Sequence, residues 1–175
     1  MPESAPPPAA PAPAPPSLAF DTPAGFAGAV QAALVQALAA PARRIEWCDA
    51  DFVDWPLDDP DFIDALTRWA RGPARELVMV AADFEALQRR HSRFVRWRRD
   101  WAHVITCLSP PERPPGDELP TLWIDAGGQV LRVFDRVRWR GRLGADRHDR
   151  QQAREQFDAI AQRAAPAFSP TTLGL

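Results

Sequence analysis

Apolar residues recur at two different spacings along this chain, and the two spacings predict alternating helices and strands. Steps of three or four residues mark five helices. Two of them open on an N-cap followed by proline at the first helical position, at Thr22-Pro23 and at Asp59-Pro60. The remaining helices are predicted after Asp83, after Ser92 and from about Asp146 to Ala164.

Continuous or alternating apolar runs predict the strands. The clearest is Glu76–Ala81 (ELVMVA), a β-branched run of the length expected for a buried parallel strand. The other predicted strands are Arg44–Cys48, Val104–Leu108, a hairpin of Thr121–Ile124 and Gln129–Phe134, and Val137–Leu143 with its arginines on one face and Trp139 on the other. This order of elements predicts an α/β fold, a three-layer domain built on a mixed sheet.

The ends of the chain differ in composition from its middle. Residues 1–17 are rich in alanine and proline and are expected to form a disordered tail, while 18–175 are expected to form a single domain. The last stretch, Ala167–Leu175, is apolar enough to pack back onto that domain. The first residues lack the pattern of a signal peptide, and no stretch is apolar enough to span a membrane. Together with two cysteines, Cys48 and Cys107, in apolar runs, this predicts a cytoplasmic protein with buried thiols.

The composition excludes several chemistries. The chain has 175 residues and no lysine, so a P-loop lysine, a Schiff base and a pyridoxal anchor are all excluded. The net charge of −2 hides an uneven distribution. Residues 42–88 carry 5 Arg and 11 acidic residues, while residues 89–154 carry 15 Arg and 8 acidic residues. Either the two parts neutralise each other or the second part presents a basic binding face.

Carboxylates and histidines give weak indications of catalysis. Asp49-Ala50-Asp51 follows a predicted strand, as in haloacid-dehalogenase-type phosphatases, but Phe52-Val53 comes next where that pattern needs a small polar pair. The three histidines, His91, His103 and His148, have no metal-ligand spacing, although His91 lies in a basic run and could contact an anion. No metal, cofactor or catalytic residue is therefore predicted.

The strongest local feature is Arg89–Trp101 (RRHSRFVRWRRDW), in which six arginines are interleaved with aromatic residues. On a helix Phe94, Trp97 and Trp101 share one face, which is core spacing, and the arginines form a neighbouring stripe. Arginine next to aromatic rings also suits nucleic-acid backbones and bases. A second set at Arg136, Arg138, Arg140 and Arg142 could join the first.

The order of elements from about Ala24 to Ala164 resembles one half of a phospholipase D-like domain. The resemblance lies in the hairpin Leu119–Phe134 (LPTLWIDAGGQVLRVF) and in the closing helix. That superfamily carries His-x-Lys, four residues and then Asp. Aligning its Asp on Asp125 puts Glu118 and Pro120 where His and Lys belong. The resemblance therefore implies the fold and argues against the reaction.

Three further segments are similar to an uncharacterised proteobacterial domain family with this degenerate phospholipase D-like fold. They are Phe94–Arg99 (FVRWRR), Phe134–Gly141 (FDRVRWRG) and Pro170–Leu175 (PTTLGL). Some longer members of that family carry an attached acyltransferase domain. The resemblance implies no activity and no catalytic residues.

These observations predict a non-catalytic domain for binding or interaction. The candidate anion-binding residues are Arg93, Arg96, Arg98, Arg136, Arg138 and Arg140, and Asp125 is the residual motif position. A phosphodiesterase or nuclease with a rebuilt site stays open and requires a histidine or an acid beside Asp125. A nucleic-acid-binding module, an accessory domain to an acyltransferase, a protein partner and a homodimer also stay open. No membrane contact is expected.

Overall fold

An eight-stranded mixed sheet with helices on both faces forms the frame of the protein. The computed structural model describes residues 17–40, 42–111 and 117–169, so the predicted tail lies outside the described residues apart from Ser17. The five helices of the described residues are α1 (Pro23–Ala39), α2 (Pro60–Ala70), α3 (Glu85–Arg90), α4 (Ser92–Asp100) and α5 (Arg147–Ala161). The eight strands of the same residues are β1 (Leu18–Phe20), β2 (Arg44–Asp49), β3 (Glu76–Ala81), β4 (Ile105–Ser109), β5 (Leu122–Asp125), β6 (Val130–Asp135), β7 (Arg140–Gly144) and β8 (Ala165–Pro166).

The strands lie in the order β1-β7-β6-β5-β2-β3-β4-β8. β2, β3 and β4 are parallel, and every other pairing is antiparallel. β2 is therefore the boundary between the two kinds of sheet, with β3 on one side and β5 on the other. Its carboxyl end is a position at which open α/β sheets often place ligands.

Because side chains alternate between the two faces of the sheet, the strands contribute to two separate hydrophobic cores. Ile45 and Trp47 of β2 point to the larger core, which contains buried residues of α1 to α4. Cys48 points to the smaller core, where Phe157 and Ile160 of α5 cover the other face. The predicted mixed α/β fold of three layers is confirmed.

Capping residues place the first two helices where the sequence predicts them. The Thr22 side chain accepts the amide N–H of Gly25 at 3.0 Å, and Asp59 accepts the amide N–H of Phe62 at 2.9 Å. Each bond satisfies a helix N–H that has no partner within the helix. A proline follows each cap at the first helical position, as expected.

The start of β7 corrects the predicted strand Val137–Leu143. The strand begins at Arg140, and residues 136–139 form the turn of the β6–β7 hairpin. The Asp135 carboxylate accepts the amide N–H of Arg138 at 2.9 Å, which bends the chain, and Trp139 has a positive φ of 53°. Trp139 then packs on Phe26 of α1 with 4.9 Å between ring centroids. Arg138 therefore lies on a turn rather than on a strand face.

Two short strands close the sheet, and neither was predicted. In β1, Phe20 pairs with Gly141, and a Cβ at that glycine would come within 2.4 Å of the Phe20 ring. In the C-terminal segment, β8 pairs with β4, and Phe168 beyond it contacts the ring of Phe84 at 5.4 Å. The described part of the apolar C-terminal segment therefore packs onto the domain, as expected. Pro170–Leu175 lie outside the described residues.

Candidate functional site

Helix α4 turns its aromatic residues inward and uses two of its three candidate arginines in internal contacts. Phe94 and Trp97 are buried. The amide of Arg93 donates to Asp58 Oδ1 at 2.8 Å, and its guanidinium donates to Asp58 Oδ2 at 3.0 Å. Arg98 is only 4% exposed. Arg96 remains exposed to solvent.

The buried Arg98 lies beneath the C-terminal segment. Its Nε donates to Cys107 Sγ at 3.3 Å, and its guanidinium lies 4.3 Å from the centroid of the Phe168 ring. Burial raises the pKa of the Cys107 thiol, although the Arg98 hydrogen bond and charge oppose that shift. Cys48 and Cys107 are both buried, as predicted, and the described residues form no disulfide.

The Arg136 guanidinium ties the β6–β7 turn to the loop that follows β2. Its Nη1 donates to Asp49 Oδ2 at 2.7 Å and to Thr121 Oγ1 at 2.8 Å, and its Nη2 donates to Asp51 Oδ1 at 3.2 Å. Asp54 Oδ2 lies 3.6 Å away. Burial disfavours the charge of Arg136, but the neighbouring carboxylates more than compensate and raise its pKa.

Asp49 is fully buried and accepts hydrogen bonds from five groups. The donors are the amides of Asp51 and Phe52, the Trp55 indole, the Thr121 hydroxyl and Arg136. Burial alone would raise the pKa of Asp49, but Arg136 and the hydrogen bonds hold it below its ordinary value. The cation facing Asp49 and Asp51 is thus an arginine of the chain itself. Among the described residues no cluster of three or more His, Cys, Asp or Glu side chains could hold a metal ion.

Asp125 lies at the opposite end of β2, where it pairs with Ile45 in the antiparallel register. Its carboxylate accepts the Gln129 amide at 3.2 Å and the Trp123 indole N–H at 3.3 Å. Burial is the main cause that raises the pKa of Asp125. The positive φ of 102° at Gly128 completes the tight turn. These contacts agree with the role in the turn that the sequence indicated.

His91 is used inside the protein. Its Nε2 donates to the carbonyls of Phe52 and Val53 at 3.0 and 3.1 Å. Burial lowers its pKa, so the neutral ring is favoured. His91 therefore fastens the loop after β2 to the junction of α3 and α4, and it is 4% exposed.

The β6–β7 hairpin carries an open basic and aromatic surface. Arg132, Phe134 and Arg142 lie on the α5 side of the sheet, and Arg132 pairs with Arg142 in the register. The guanidinium carbons of these two arginines lie 5.9 and 5.7 Å from the centroid of the Phe134 ring, which is 59% exposed. We define the hairpin face as Arg132, Phe134, Arg138, Arg140 and Arg142.

The two outermost arginines of the hairpin face are directed to solvent. The side chain of Arg138 is 75% exposed, and Asp135 Oδ2 lies 3.6 Å from it. Arg140 is exposed and has no ion-pair partner within the part of the chain that the structure describes. The six candidate arginines therefore fall into two groups. Arg98 is buried, Arg136 is held by buried and half-buried carboxylates and Arg93 is exposed but paired with Asp58, while Arg96, Arg138 and Arg140 are accessible. Anion binding by the accessible ones stays a prediction.

Arg132 and Phe134 are functional candidates that were not predicted from the sequence. The signal was available in β6, because Val130, Arg132 and Phe134 alternate with Leu131 and Val133. The first of these alternating residues is buried, and the last lies past the end of α5 and is exposed.

A second surface lies between α2 and α4. It is a groove of about 370 Å³ whose floor includes Ile63, Thr67 and Trp97. Its rim carries both signs of charge, with Arg96 and Asp100 on α4. The rim therefore has no net preference for an anion.

Comparison with known proteins identifies a fold likeness but no family. No protein-family model matches the chain, and no curated protein is similar to it in sequence. Its fold is similar to a solved structure of TrmBL2, described as an archaeal chromatin protein that shows a novel mode of DNA binding. The TM-score is 0.59 at 12% sequence identity. The match covers 86% of this chain and 53% of TrmBL2, so this chain spans about half of that protein. Among the described residues, no helix has the length and apolar character needed to cross a membrane.

Proposed function

We propose that this chain is a non-catalytic nucleic-acid-binding module whose contact surface is the hairpin face. The observation that carries the proposal is the exposed Phe134 ring in contact with Arg132 and Arg142, with two further exposed arginines on the same hairpin. Nucleic-acid affinity depends largely on cations that replace the counterions of the phosphates. Arginine suits this role because its planar fork pairs with two phosphate oxygens.

The charge balance of the hairpin supports this assignment. Between Val130 and Gly144 the sequence carries five arginines and one aspartate. Arg136 is neutralised by Asp49 and Asp51, and Arg142 is paired with Asp149 of α5. The Arg138 side chain is 75% exposed, although Asp135 Oδ2 lies 3.6 Å from it, and Arg140 is exposed without an ion-pair partner among the described residues.

The fold comparison supports nucleic acid as the first anion to test. TrmBL2 is described as binding DNA, and it shares the fold over most of this chain. The contacts of Asp49 and Asp125, the two carboxylates that the sequence motifs point to, support the non-catalytic part of the proposal. Asp49 is bound by Arg136, and Asp125 is bound by groups of its own turn.

The test is fluorescence anisotropy with a labelled oligonucleotide, single-stranded and duplex, at about 50 and about 200 mM salt. The variant Arg138→Ala/Arg140→Ala removes two charges from the hairpin face. The matched control Arg68→Ala/Arg71→Ala removes two charges from exposed positions on and next to α2. We expect wild-type binding to weaken with salt and the hairpin variant to bind about tenfold more weakly, because two phosphate contacts are lost. The α2 variant is expected to bind like wild type.

Two results would overturn the proposal. One is the absence of wild-type binding at the lower salt concentration. The other is an equal loss of affinity in the two variants, which would mean that only the total charge matters.

A further inference from the structure

We infer that the hairpin face binds single-stranded nucleic acid, with an unpaired base stacked on Phe134. This inference rests on the proposed function and names the form of nucleic acid that the surface fits. It is carried by the exposure of the ring and by the placement of its two guanidinium neighbours.

The exposure of Phe134 has a geometric cause. Residues 130, 132 and 134 of β6 point to the same side, and α5 covers only the first part of that row. Its Gln152 accepts a hydrogen bond from Arg132 at 3.1 Å, and Asp149 pairs with Arg142. Phe134 lies one step further along the same row and is 59% exposed. Within the described residues it is the only aromatic ring among the exposed large hydrophobic side chains.

The two guanidinium groups beside the ring are held in place by α5. Each lies within 6 Å of the Phe134 centroid, which is the range of a cation–π contact. More than half of the Phe134 side chain still remains open. A base that stacks on the open part of this ring therefore meets a pre-positioned aromatic surface, together with two guanidinium groups that can also stack or donate hydrogen bonds.

A duplex does not offer exposed base faces to the Phe134 ring. In a duplex the base faces are stacked on one another, and only base edges and phosphates are accessible. A single strand offers free base faces together with phosphates. The accessible charges of Arg138 and Arg140 lie on the same hairpin and suit the phosphates that flank a stacked base. Because the surface has one exposed ring, it accommodates about one base, and selectivity for sequence is expected to be weak.

The experiment compares three probes on the full chain by fluorescence anisotropy. The probes are a short mixed-sequence single strand, the duplex of the same sequence, and a single strand of the same length in which the bases are replaced by abasic sites. We expect wild type to bind the single strand roughly tenfold more tightly than the other two probes, a ratio typical of stacking on one aromatic ring.

Variants of Phe134 test whether the preference for the single strand comes from stacking on the aromatic ring. Phe134→Ala is expected to bind the single strand no better than the abasic strand, while its affinity for the abasic strand stays that of wild type. Phe134→Trp is expected to retain the preference, and Phe134→Leu is expected to lose it because it keeps the apolar contact but not the ring. Val137→Ala, at a side chain that is 93% exposed on the turn of the same hairpin, is the matched control and is expected to bind like wild type. Because Phe134 is exposed, these variants are expected to fold, which circular dichroism checks.

The outcomes separate the two proposals. Equal binding of the single strand and the abasic strand, or an unchanged preference in Phe134→Ala, would overturn the stacking inference. If Arg138→Ala/Arg140→Ala still weakened binding, the proposed function would stand. If wild type bound none of the three probes, both proposals would be wrong.

Discussion

Helix α4 and the β6–β7 hairpin carry similar sequences, yet the structure uses them in opposite ways. Both interleave arginines with aromatic residues, as FVRWRR in one and FDRVRWRG in the other. In α4 the rings of Phe94 and Trp97 are buried and the helix faces the larger core. In the hairpin Trp139 is directed to that core while Phe134 is directed to solvent.

The difference follows from the period of each element. A helix gathers residues three or four positions apart onto one face, so all its rings go to the core together. In the hairpin, alternation along β6 directs Phe134 to the open side of the sheet, while Trp139 lies on the turn and packs on Phe26 of the larger core, so one ring is exposed and the other is covered. The same composition therefore gives a packing element in the helix and, in the hairpin, the exposed ring that we propose as part of a binding surface. Arginine-aromatic interleaving indicates a binding site only when the secondary structure leaves a ring uncovered.

Arg136 is the exception within the hairpin, and removing its main partner should have the largest effect on stability. We expect Asp49→Ala to lower the free energy of unfolding by about 3 kcal/mol, because a partly buried cation and several donors lose their acceptor. Urea unfolding measures this. Asp51→Ala is the control, since Asp51 is partly exposed, and it should have a clearly smaller effect. Equal losses of unfolding free energy in the two variants would contradict the claim that Asp49 is the main partner of Arg136.

The same carboxylate should determine part of the acid sensitivity. The pKa of Asp49 is lower in the folded protein than the value of about 3.9 in an unfolded chain. Its stabilising contribution is therefore fully present above the unfolded pKa and is lost as the pH falls through the folded pKa. We expect the difference in unfolding free energy between wild type and Asp49→Asn to shrink as the pH falls below about 4. Urea unfolding at a series of pH values measures it, and a constant difference would count against this explanation.

The contact between Arg93 of α4 and Asp58 can be tested by changing Asp58. The Asp58 carboxylate accepts the Arg93 amide at the first turn of α4 and so acts as a cap from a distant part of the chain. We expect Asp58→Ala to destabilise the protein by about 1 kcal/mol, the usual effect of losing a cap. Asp64→Ala, at an exposed position on α2, is the control and should leave the thermal midpoint unchanged. A shift of similar size in the control would show that the effect comes from net charge.

The variant of the two exposed hairpin arginines is expected to change stability least and nucleic-acid binding most. Arg138 and Arg140 are exposed, so Arg138→Ala/Arg140→Ala should change the free energy of unfolding by less than about 0.5 kcal/mol. The same variant should weaken nucleic-acid binding. Chemical unfolding beside the binding assay checks both. A large loss of stability would contradict this prediction and would mean that Arg138 and Arg140 stabilise the fold, as Arg136 does.

Much of the fold could be predicted because local signals are strong in these elements. Glu76–Ala81 was predicted with the bounds that β3 has, since a β-branched apolar run leaves few alternatives. The caps at Thr22 and Asp59 fixed the start of two helices. The strands β1 and β8 could not be predicted, because three and two residues carry no periodicity and their pairing depends on β7 and β4.

The site was harder to predict because it depends on contacts between distant residues. Residues 137–139 of the turn were predicted as strand because their sequence alternates, and the contact of Arg136 with Asp49, 87 positions away, leaves no local signal. Nothing local distinguishes the buried Arg98 from the exposed Arg96 except its position on the helix face. The exposure of Phe134 depends on where α5 ends over the sheet. The resemblance to a phospholipase D-like half and to the proteobacterial family stays a prediction.

The most direct test of the contrast between the two regions is arginine modification by phenylglyoxal, read residue by residue by mass spectrometry, with and without a single-stranded oligonucleotide. We expect Arg138 and Arg140 to react readily and to be protected by the oligonucleotide. Arg98 and Arg136 should react slowly in both conditions. Arg96, which is exposed on α4, should react readily without being protected. Protection of Arg96 with no protection of Arg138 and Arg140 would contradict the assignment of binding to the hairpin face.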